Sequence, residues 1–315
     1  TTLRMIAGHE VISEGDLLIG DRNVTELPPV KRGTAMMFQN YALFPHMTCA
    51  ENVAFGLKMQ GVSPSDRKDR AKEMLARVHM EQFADRKPDQ LSGGQQQRIA
   101  LARSLITEPS VLLLDEPLSA LDPFLRARMR DELRRLQQEL GITFVHVTHA
   151  QDEALALSDM VVVMEDGIIR QKGTPHEIFN QPKSRFIANF MGGQNIFKGT
   201  VSKSGPAGTL LARGPDSFFL PGFADGKAGE ELEFTIRTDL IGLDETPPED
   251  SKNGQIPVEI TTVEYLGLWV RIVATTTDGK EITLMKTESE FRQSPVRRLD
   301  KFIAYWKPEH AHVLA

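Results

Sequence analysis

The sequence has a single cysteine, Cys49, among its 315 residues. One thiol excludes an internal disulfide and is typical of a protein from a reducing compartment. We interpret Cys49 as a small packing residue. No apolar run approaches the roughly 20 residues that cross a bilayer, and no signal peptide is evident. These absences predict a cytoplasmic location.

The sequence also lacks an excess of positive charge. Its 37 Lys and Arg residues are outnumbered by 43 Asp and Glu residues, which gives a formal net charge of −6. Without a basic excess there is little capacity to release counterions, and this argues against a nucleic-acid partner. At 315 residues, 40% of them hydrophobic, the chain is long enough for two domains with separate cores.

The first 180 residues alternate apolar strands with amphipathic helices, a pattern typical of a sheet covered by helices. Residues 111–114 and 142–147 are predicted as buried strands. Between them, spacings of three and four predict one helix face, formed by Leu125, Met129, Leu133, Leu136 and Leu140. Asp122 and Gly141 are typical residues for the start and the end of this helix.

Three further segments differ in character. Residues 46–92 are rich in charge and contain no convincing strand, which predicts a helical insertion. Residues 181–194 have the composition of a linker, with Pro182 and a glycine pair. Beyond them, apolar segments separated by turn residues predict an antiparallel barrel or sandwich with strands at 232–237, 258–264, 269–275 and 302–306.

Two adjacent carboxylates, Asp115 and Glu116, end the predicted strand 111–114. Phosphoryl transfer from a nucleotide needs Mg²⁺ to neutralise phosphate charge and a group that orients or deprotonates the attacking water. Asp115 is suited to a magnesium-bound water, and Glu116 is suited to the nucleophilic water. An isolated Asp-Glu pair is usually a solvated strand end. The Ser-Ala-Leu-Asp sequence at 119–122 favours the catalytic interpretation.

A glycine-rich turn precedes another predicted helix. The orphan N–H groups of a helix N-terminus bind anions, and glycine permits close approach of a phosphate. The turn consists of Ser92, Gly93, Gly94 and Gln95. Alone, such a turn is more often a plain connection between two elements.

The string LSGGQQQR at 91–98, followed by DEPLSALD at 115–122, resembles the signature and carboxylate motifs of the ATP-binding cassette (ABC) family. Gln39 and His149 match the Q-loop glutamine and the switch histidine of that family. The resemblance implies an α/β P-loop NTPase cassette with a mixed sheet and a helical subdomain over residues 1–192. An OB-like, TOBE-type β-barrel domain with a regulatory or dimerisation role is implied for residues 193–315.

The family resemblance also implies roles for single residues. Catalysis falls to Glu116, His149 and Gln39, with ATP as the nucleotide and Mg²⁺ held by Asp115, Gln39 and a threonine hydroxyl. In a head-to-tail dimer the signature residues Ser92, Gly93, Gly94 and Gln95 cap the ATP of the second copy. Asp122 then lies at the dimer seam, and Arg86 approaches the partner's nucleotide. Ala150 stands where the family usually has Asp, and we expect it to lose only a local cap or a contact behind the site.

The phosphate-binding string G-x-x-x-x-G-K-[ST] occurs nowhere in the sequence. Residues 1–8 resemble the end of that loop and the helix after it. On this alignment Thr1 supplies the magnesium-binding hydroxyl and Thr2 faces the phosphates; alternatively, both are ordinary terminal residues. We therefore expect a chain truncated after the P-loop lysine, which alone binds ATP poorly and hydrolyses almost none. Adding the upstream segment should restore magnesium-dependent phosphate release.

The whole chain is similar to ATPase subunits of bacterial ABC importers. Residues 50–98 are most similar to those of spermidine/putrescine importers. Sugar and iron(III) importers share much of this text and remain alternatives. A soluble ABC ATPase of DNA repair or translation, and a regulatory protein that no longer hydrolyses ATP, are less favoured. The tail lacks the basic, aromatic-rich face that binds single-stranded nucleic acid.

The resemblance implies several partners but no nucleic acid. They are a second copy of the chain, two transmembrane permease subunits and, indirectly, a periplasmic or surface solute-binding protein. The protein would then be peripheral on the cytoplasmic face of the inner (plasma) membrane. Contacts with the permeases are expected near the Q-loop, although local packing explains the same residues equally well: Tyr41, Leu43, Phe44 and Pro45.

Overall fold

A computed structural model describes residues 1–119, 121–249 and 254–314. The chain divides into two compact units, Thr1–Leu157 and Ser158–Ala315. Each unit has its own hydrophobic core. The predicted domain boundary after residue 192 stays a prediction. Within the described ranges, no helix combines the length and the apolar character needed to cross a membrane.

The first unit is a mixture of helices and short strands. Its helices are α1 (Thr2–Ala7), α2 (Cys49–Met59), α3 (Pro64–Arg77), α4 (Gly93–Leu105), α5 (Pro123–Leu140) and α6 (Gln151–Leu157). Its strands are β1 (Leu18–Ile19), β2 (Arg22–Asn23), β3 (Thr34–Met37), β4 (Val111–Asp115) and β5 (Thr143–Val147).

The central sheet of this unit has the order β3-β4-β5, and both pairs are parallel. Residues 112–114 of β4 are at most 1% exposed, as expected for a parallel strand covered on both faces. On one face α1 packs through Leu3 and Ala7 against Leu113. Because the strands are parallel, their carboxyl ends meet at one edge of the sheet. The predicted strands 111–114 and 142–147 are confirmed within one residue.

The predicted helical insertion contains α2 and α3, and no strand is present among residues 46–92, all of which the structure describes. Thr48 and Glu51 form a capping box at the start of α2. The apolar faces of α2, α3 and α4 share one core, in which Val53, Leu75 and Ile99 are at most 1% exposed. Cys49 is fully buried and free, which confirms its packing role.

Helix α5 begins and ends where the sequence predicts. The Asp122 carboxylate accepts hydrogen bonds from the backbone N–H groups of Phe124 and Leu125. Gly141 ends the helix in the left-handed region with φ of 64°, which glycine adopts without steric cost. Three of the predicted face residues are fully buried, namely Met129, Leu133 and Leu136.

The second unit starts with a hairpin and two short helices: β6 (Val161–Glu165), β7 (Ile168–Gly173), α7 (Pro175–Asn180) and α8 (Arg185–Met191). The linker predicted over residues 181–194 is wrong in its middle, where α8 lies. The Ser184 hydroxyl accepts the Ile187 N–H, and Ile187, Ala188 and Met191 are buried. Burial of this apolar face stabilises the helix. The sequence did not indicate it, because turn-forming residues lie on both sides of it.

The remainder of the second unit is almost entirely antiparallel β structure. Its strands are β8 (Gln194–Gly205), β9 (Gly208–Arg213), β10 (Asp216–Pro221), β11 (Glu231–Arg237), β12 (Gly242–Asp244), β13 (Gln255–Tyr265), β14 (Trp269–Thr276), β15 (Glu281–Thr287), β16 (Lys301–Tyr305) and β17 (His312–Val313). One helix, α9 (Glu288–Gln293), follows β15. The four strands predicted for this region correspond to β11, β13, β14 and β16.

These strands form two five-stranded sheets, β10-β9-β8-β11-β17 and β12-β16-β13-β14-β15. Both contribute to a single core. At its centre the rings of Phe197 and Trp306 lie 4.8 Å apart, and Phe218 and Phe234 pack around them. The predicted antiparallel β domain is confirmed.

Candidate active site

Three polar side chains follow the three parallel strands of the first unit. Gln39 comes two residues after β3, Glu116 directly after β4, and His149 two residues after β5. The carboxyl edge of a parallel sheet is the usual place for a ligand, because successive strands deliver side chains to it. The structure therefore brings the three predicted catalytic residues to one place.

The Glu116 carboxylate connects the other two side chains. Gln39 Nε2 donates a hydrogen bond to Glu116 Oε2 at 3.0 Å. His149 Nε2 lies 2.8 Å from Glu116 Oε1. The side chain of His149 is 84% exposed, whereas that of Glu116 is 22% exposed. The carboxylate is thus oriented by two loops, while the imidazole faces solvent and is accessible to a bound molecule.

The backbone of Glu116 is held in an uncommon conformation. Its φ of 46° lies in the left-handed region, which costs a non-glycine residue about 1–3 kcal/mol. Three hydrogen bonds stabilise it. The Glu116 N–H donates to the Val147 carbonyl at 3.0 Å, and the Ser119 hydroxyl and N–H donate to the Glu116 carbonyl at 2.9 Å and 3.3 Å. This turn directs the side chain away from the line of β4. Asp115, the last residue of β4, keeps its strand register opposite Val147.

The loop after Gln39 is also strained. Tyr41 and Ala42 have φ values of 61° and 45°. Arg103, on α4, donates to the carbonyl oxygens of Ala42 at 2.7 Å and Tyr41 at 2.8 Å. Burial lowers the pKa of this guanidinium from its ordinary value. The two charge-assisted hydrogen bonds compensate part of the hydration that the guanidinium loses. Arg103 therefore links the signature helix to the Gln39 loop.

A buried asparagine closes the far side of the same loop. Asn52 is fully buried; its side-chain oxygen accepts the Phe44 N–H at 2.8 Å, and its amide donates to the carbonyls of Phe44, Met47 and Thr48.

Of the residues predicted to contact permeases or pack locally, Tyr41 is 6% exposed and belongs to the core. Pro45 is the one of the four that is exposed.

The predicted signature residues lie at the start of α4. Ser92 caps this helix, and its capping box with Gln95 uses two backbone N–H groups. Ser92 and Gly93 are exposed, whereas Gly94 is buried under Leu125. A Cβ atom at Gly94 would stand 2.7 Å from Leu125 Cδ2, so glycine permits this close packing.

No hydrogen bond or ion pair joins the signature residues to Glu116 in the part of the chain that the structure describes. Asp122 caps α5 and is exposed. Arg86 is exposed as well; its guanidinium stacks 4.8 Å from the Phe83 ring centroid. The structure thus separates the group around Glu116 from a second group, in which Ser92, Gly93, Asp122 and Arg86 are exposed and Gly94 is buried.

The residues predicted to bind Mg²⁺ have the right chemistry for it. Mg²⁺ prefers oxygen ligands and is commonly held by one or two carboxylates together with substrate phosphates. Thr1 precedes α1 and makes no side-chain capping bond, and Thr2 is the exposed first residue of that helix. Gln39 bonds Glu116 through its nitrogen, so this contact does not use its oxygen. Together with the Asp115 carboxylate, these groups offer the oxygen donors that Mg²⁺ prefers.

Sequence reasoning missed several residues of this region. Ser119 supports the Glu116 turn and lies 3.5 Å from Gln39 Nε2. Arg103 and Asn52 hold the Gln39 loop. At Ala150 the backbone N–H donates to the Thr148 hydroxyl at 3.0 Å, a bond that does not depend on the side chain at this position. The only available signal for these residues was their closeness in sequence to recognised motifs.

Comparison with known proteins identifies the class. A family model described as "ABC transporter" matches residues 1–119, and one described as "TOBE domain" matches residues 234–314. The fold and the site thus define an ABC-type ATPase with an appended TOBE domain, as predicted.

Curated relatives match almost the whole chain. The spermidine/putrescine import ATP-binding protein PotA of Thermobifida fusca is 43% identical over 314 residues, which cover 100% of this chain and 82% of that protein. PotA of Aliivibrio fischeri is 48% identical over 253 residues, covering 80% and 68%. The dimeric structure of an ATP-binding cassette in a post-hydrolysis state, bound to ADP and Pi, is 32% identical with a TM-score of 0.49, covering 55% and 79%. This chain belongs to the family of ABC-transporter ATP-binding proteins that contains the PotA proteins.

Proposed function

We propose that this chain is the ATP-hydrolysing subunit of an importer for polyamines of the spermidine and putrescine class. The solute assignment is supported by relatives named for spermidine/putrescine import, which are 41% to 48% identical. The ATPase does not itself contact the solute, so the names of relatives are the main support for this part.

The observation that carries the hydrolytic function is the position of Glu116 between Gln39 and His149. In the proposed reaction Glu116 accepts a proton from water as the water oxygen bonds to the terminal phosphorus of ATP and the bond to ADP breaks. His149, exposed above the carboxylate, donates a hydrogen bond to the terminal phosphate. Gln39 orients the attacking water through its amide.

Asp115, Gln39 and Thr1 would hold Mg²⁺, and Thr2 would face the phosphates. When bound, Mg²⁺ neutralises phosphate charge and thereby favours attack by water. The carboxylate of Asp115 provides the negative charge of this site, and the other two residues contribute neutral oxygens.

We further propose that two copies bind ATP between them. The exposed N-terminus of the 13-residue helix α4 offers N–H groups and a glycine surface to a phosphate. The groups that would cap the partner's ATP are those of Ser92, Gly93, Gly94 and Gln95. Asp122 would then lie at the seam, and Arg86 would approach the same nucleotide. This arrangement agrees with the absence of bonds between the signature and Glu116 among the described residues.

The remaining partners follow from the transport function. Two permease subunits would dock near the Gln39 loop, and ATP-driven closure of the dimer would move them. A periplasmic or surface binding protein would deliver the solute to the permeases. The protein would be peripheral on the cytoplasmic face of the inner membrane, with residues 193–315 as a regulatory or dimerisation domain.

The hydrolytic proposal is tested by Glu116→Gln in the assembled transporter, with the ATPase subunit extended by the upstream P-loop segment expected from the sequence. The amide keeps the shape of the side chain but cannot act as a base, so we expect ATP hydrolysis to fall about 100-fold or more with ATP binding retained. Glu139→Gln is the matched control, because Glu139 is an exposed member of an ion pair with Arg135 on α5. Equal hydrolysis by the Glu116 variant and the control would exclude Glu116 as the base.

The solute is tested separately, by uptake of labelled compounds into cells that express the transporter. We expect uptake of spermidine and putrescine, and its loss in the Glu116→Gln variant. Uptake of a sugar or of ferric iron instead would overturn the polyamine assignment and leave the ATPase assignment intact. Co-purification with ribosomes or DNA, without permease subunits, would favour the soluble ABC ATPase.

A further inference from the structure

A buried carboxylate lies beneath the candidate active site and has no role in the reaction proposed above. Glu153, on α6, is 2% exposed. Its Oε2 accepts a hydrogen bond from the Thr148 hydroxyl at 2.6 Å. A carboxylate this deep is retained only where neighbouring groups compensate its loss of hydration. Its neighbours therefore indicate what it does.

The first neighbour fixes the turn that carries His149. The Thr148 hydroxyl donates its one proton to Glu153 and accepts the Ala150 N–H at 3.0 Å. The residues on both sides of His149 are thus tied to one hydroxyl group. Because Glu153 orients that hydroxyl, it also determines the direction in which the His149 turn faces.

The second neighbour leads to the segment before α5. Arg126 Nη2 donates to the Leu121 carbonyl at 3.0 Å, and Arg126 Nε lies 3.7 Å from Glu153 Oε1. This Nε atom is buried and makes no hydrogen bond. Leu121 directly precedes Asp122, the capping residue of α5. One carboxylate therefore faces both the His149 turn and the Asp122 segment.

The third neighbour does not supply a compensating charge. His146 Nε2 lies 3.7 Å from Glu153 Oε2 and has no hydrogen-bond partner. Burial lowers the pKa of His146 to about 4, so the imidazole is neutral near pH 7. Arg126 is thus the cation that balances Glu153, and the two form a partly buried pair between α5 and α6.

We propose that Glu153 is a positioning residue of the active site. Through Thr148 it sets where His149 stands relative to Glu116, and through Arg126 it couples that position to the Asp122 segment. The functional consequence rests on the proposed ATPase role of His149. The geometric claim can be judged without any ATPase measurement.

The test is a two-bond ¹H–¹⁵N spectrum of the histidine rings in the purified protein, which has 8 histidines. The His149 signals are identified by their loss in His149→Gln. Thr148→Val removes the hydroxyl with little change in volume, and we expect it to displace the His149 signals by more than a linewidth. Thr148→Ser keeps the hydroxyl and should leave them in place. Unchanged His149 signals in Thr148→Val would overturn the proposal.

The link to Asp122 has its own matched pair. Arg126→Met should displace the His149 signals and accelerate amide hydrogen exchange in a peptide containing Leu121 and Asp122 by about tenfold. Arg130→Met is the control, because Arg130 also joins α5 to α6, through the exposed Asp152 at 2.8 Å, without touching Glu153. If Arg126→Met and Arg130→Met had equal effects, Glu153 would only help to hold α5 and α6 together and would not position His149.

Glu153 itself is changed in two steps. Glu153→Gln can still accept the Thr148 hydroxyl but loses the charge that attracts Arg126, so we expect faster exchange near Asp122 and a smaller displacement of the His149 signals than in Glu153→Ala. Glu153→Ala should change both. ATP hydrolysis by the transporter should fall about tenfold in Thr148→Val and stay normal in Thr148→Ser. If His149→Gln leaves hydrolysis unchanged, the proposed function fails, while the spectra still decide the positioning role.

Discussion

His149 Nε2 lies 2.8 Å from Glu116 Oε1, although 33 positions of sequence separate the two residues. The pair forms because β4 and β5 are parallel neighbours whose carboxyl ends coincide. The histidine side chain is 84% exposed, so solvent screens this contact and it contributes little to stability. We therefore expect this pair to affect the rate of ATP hydrolysis rather than the free energy of unfolding.

The first prediction follows from that exposure. His149→Ala should reduce ATP hydrolysis by the transporter about 100-fold, because the terminal phosphate loses a hydrogen-bond donor. The melting temperature should change by no more than about 2 °C. Hydrolysis is measured by phosphate release and melting by circular dichroism. His176→Ala, at an exposed position on α7, should change neither quantity. A large loss of stability in His149→Ala would contradict the prediction that His149 acts in the reaction and not in folding.

The second prediction concerns Arg103, which donates hydrogen bonds to the carbonyl oxygens of Tyr41 and Ala42, two residues with positive φ. Arg103→Met removes two charge-assisted hydrogen bonds, so the free energy of unfolding should fall by about 3 kcal/mol. Amide exchange in peptides covering residues 39–48 should accelerate more than elsewhere. Arg128→Met, which removes an exposed arginine stacked on Phe124, should cost about 1 kcal/mol or less.

The readout for Arg103 must report on the first unit. Both tryptophans, Trp269 and Trp306, lie in the second unit, so their fluorescence is unsuitable. Urea unfolding followed by hydrogen exchange of the peptides in Thr1–Leu157 avoids this problem. A uniform increase in exchange across this unit, without preference for residues 39–48, would show that Arg103 does not act through the Gln39 loop.

The third prediction separates two roles of Asp122. Asp122→Ala removes the cap of α5 and should lower the free energy of unfolding by about 1 kcal/mol. Asp122→Asn keeps the cap but loses the charge, so stability should stay near the original value. If Asp122 also lies at a dimer seam, Asp122→Asn should still reduce ATP hydrolysis. Normal hydrolysis in that variant would confine Asp122 to capping.

These predictions also show what the sequence can and cannot reveal. Helix α5 was predictable from end to end, because its cap, its stop signal and its apolar spacing are all local. The contact of Gln39 with Glu116 was not, since it depends on the strand order β3-β4-β5. Family resemblance named the residues of the site without supplying that geometry.

Charged side chains that are partly or fully buried are the second class of feature that the sequence concealed. Apolar periodicity identifies which face of a helix is buried through its hydrophobic residues only. Arg103 and Glu153 are charged, so each looks like an ordinary solvated residue until its partners are known. The error over residues 181–194 has a different cause: Pro182 and the glycine pair are genuine turn signals, but the helix between them is short enough to be overlooked.

The last prediction is a pH dependence of stability caused by His146. Burial lowers the pKa of this imidazole in the folded protein to about 4, whereas the ordinary value is 6.5. Glu153 Oε2 lies 3.7 Å from His146 Nε2, and this nitrogen has no hydrogen-bond partner. Between these two pKa values the unfolded chain binds a proton that the folded protein excludes. The contribution of His146 to the free energy of unfolding is therefore fully present above pH 6.5 and is lost as the pH falls towards 4.

The expected size can be measured by comparing unfolding in urea at about pH 7 and about pH 5. His146 alone should account for a loss of about 2 kcal/mol between these conditions. His146→Phe replaces the imidazole by a ring that cannot titrate, so this variant should lose correspondingly less stability on acidification. His46→Phe provides the control, because His46 is exposed and its replacement should leave the pH dependence unchanged. Parallel pH profiles for the original protein and His146→Phe would mean that this imidazole is protonated as readily in the folded protein as in the unfolded chain.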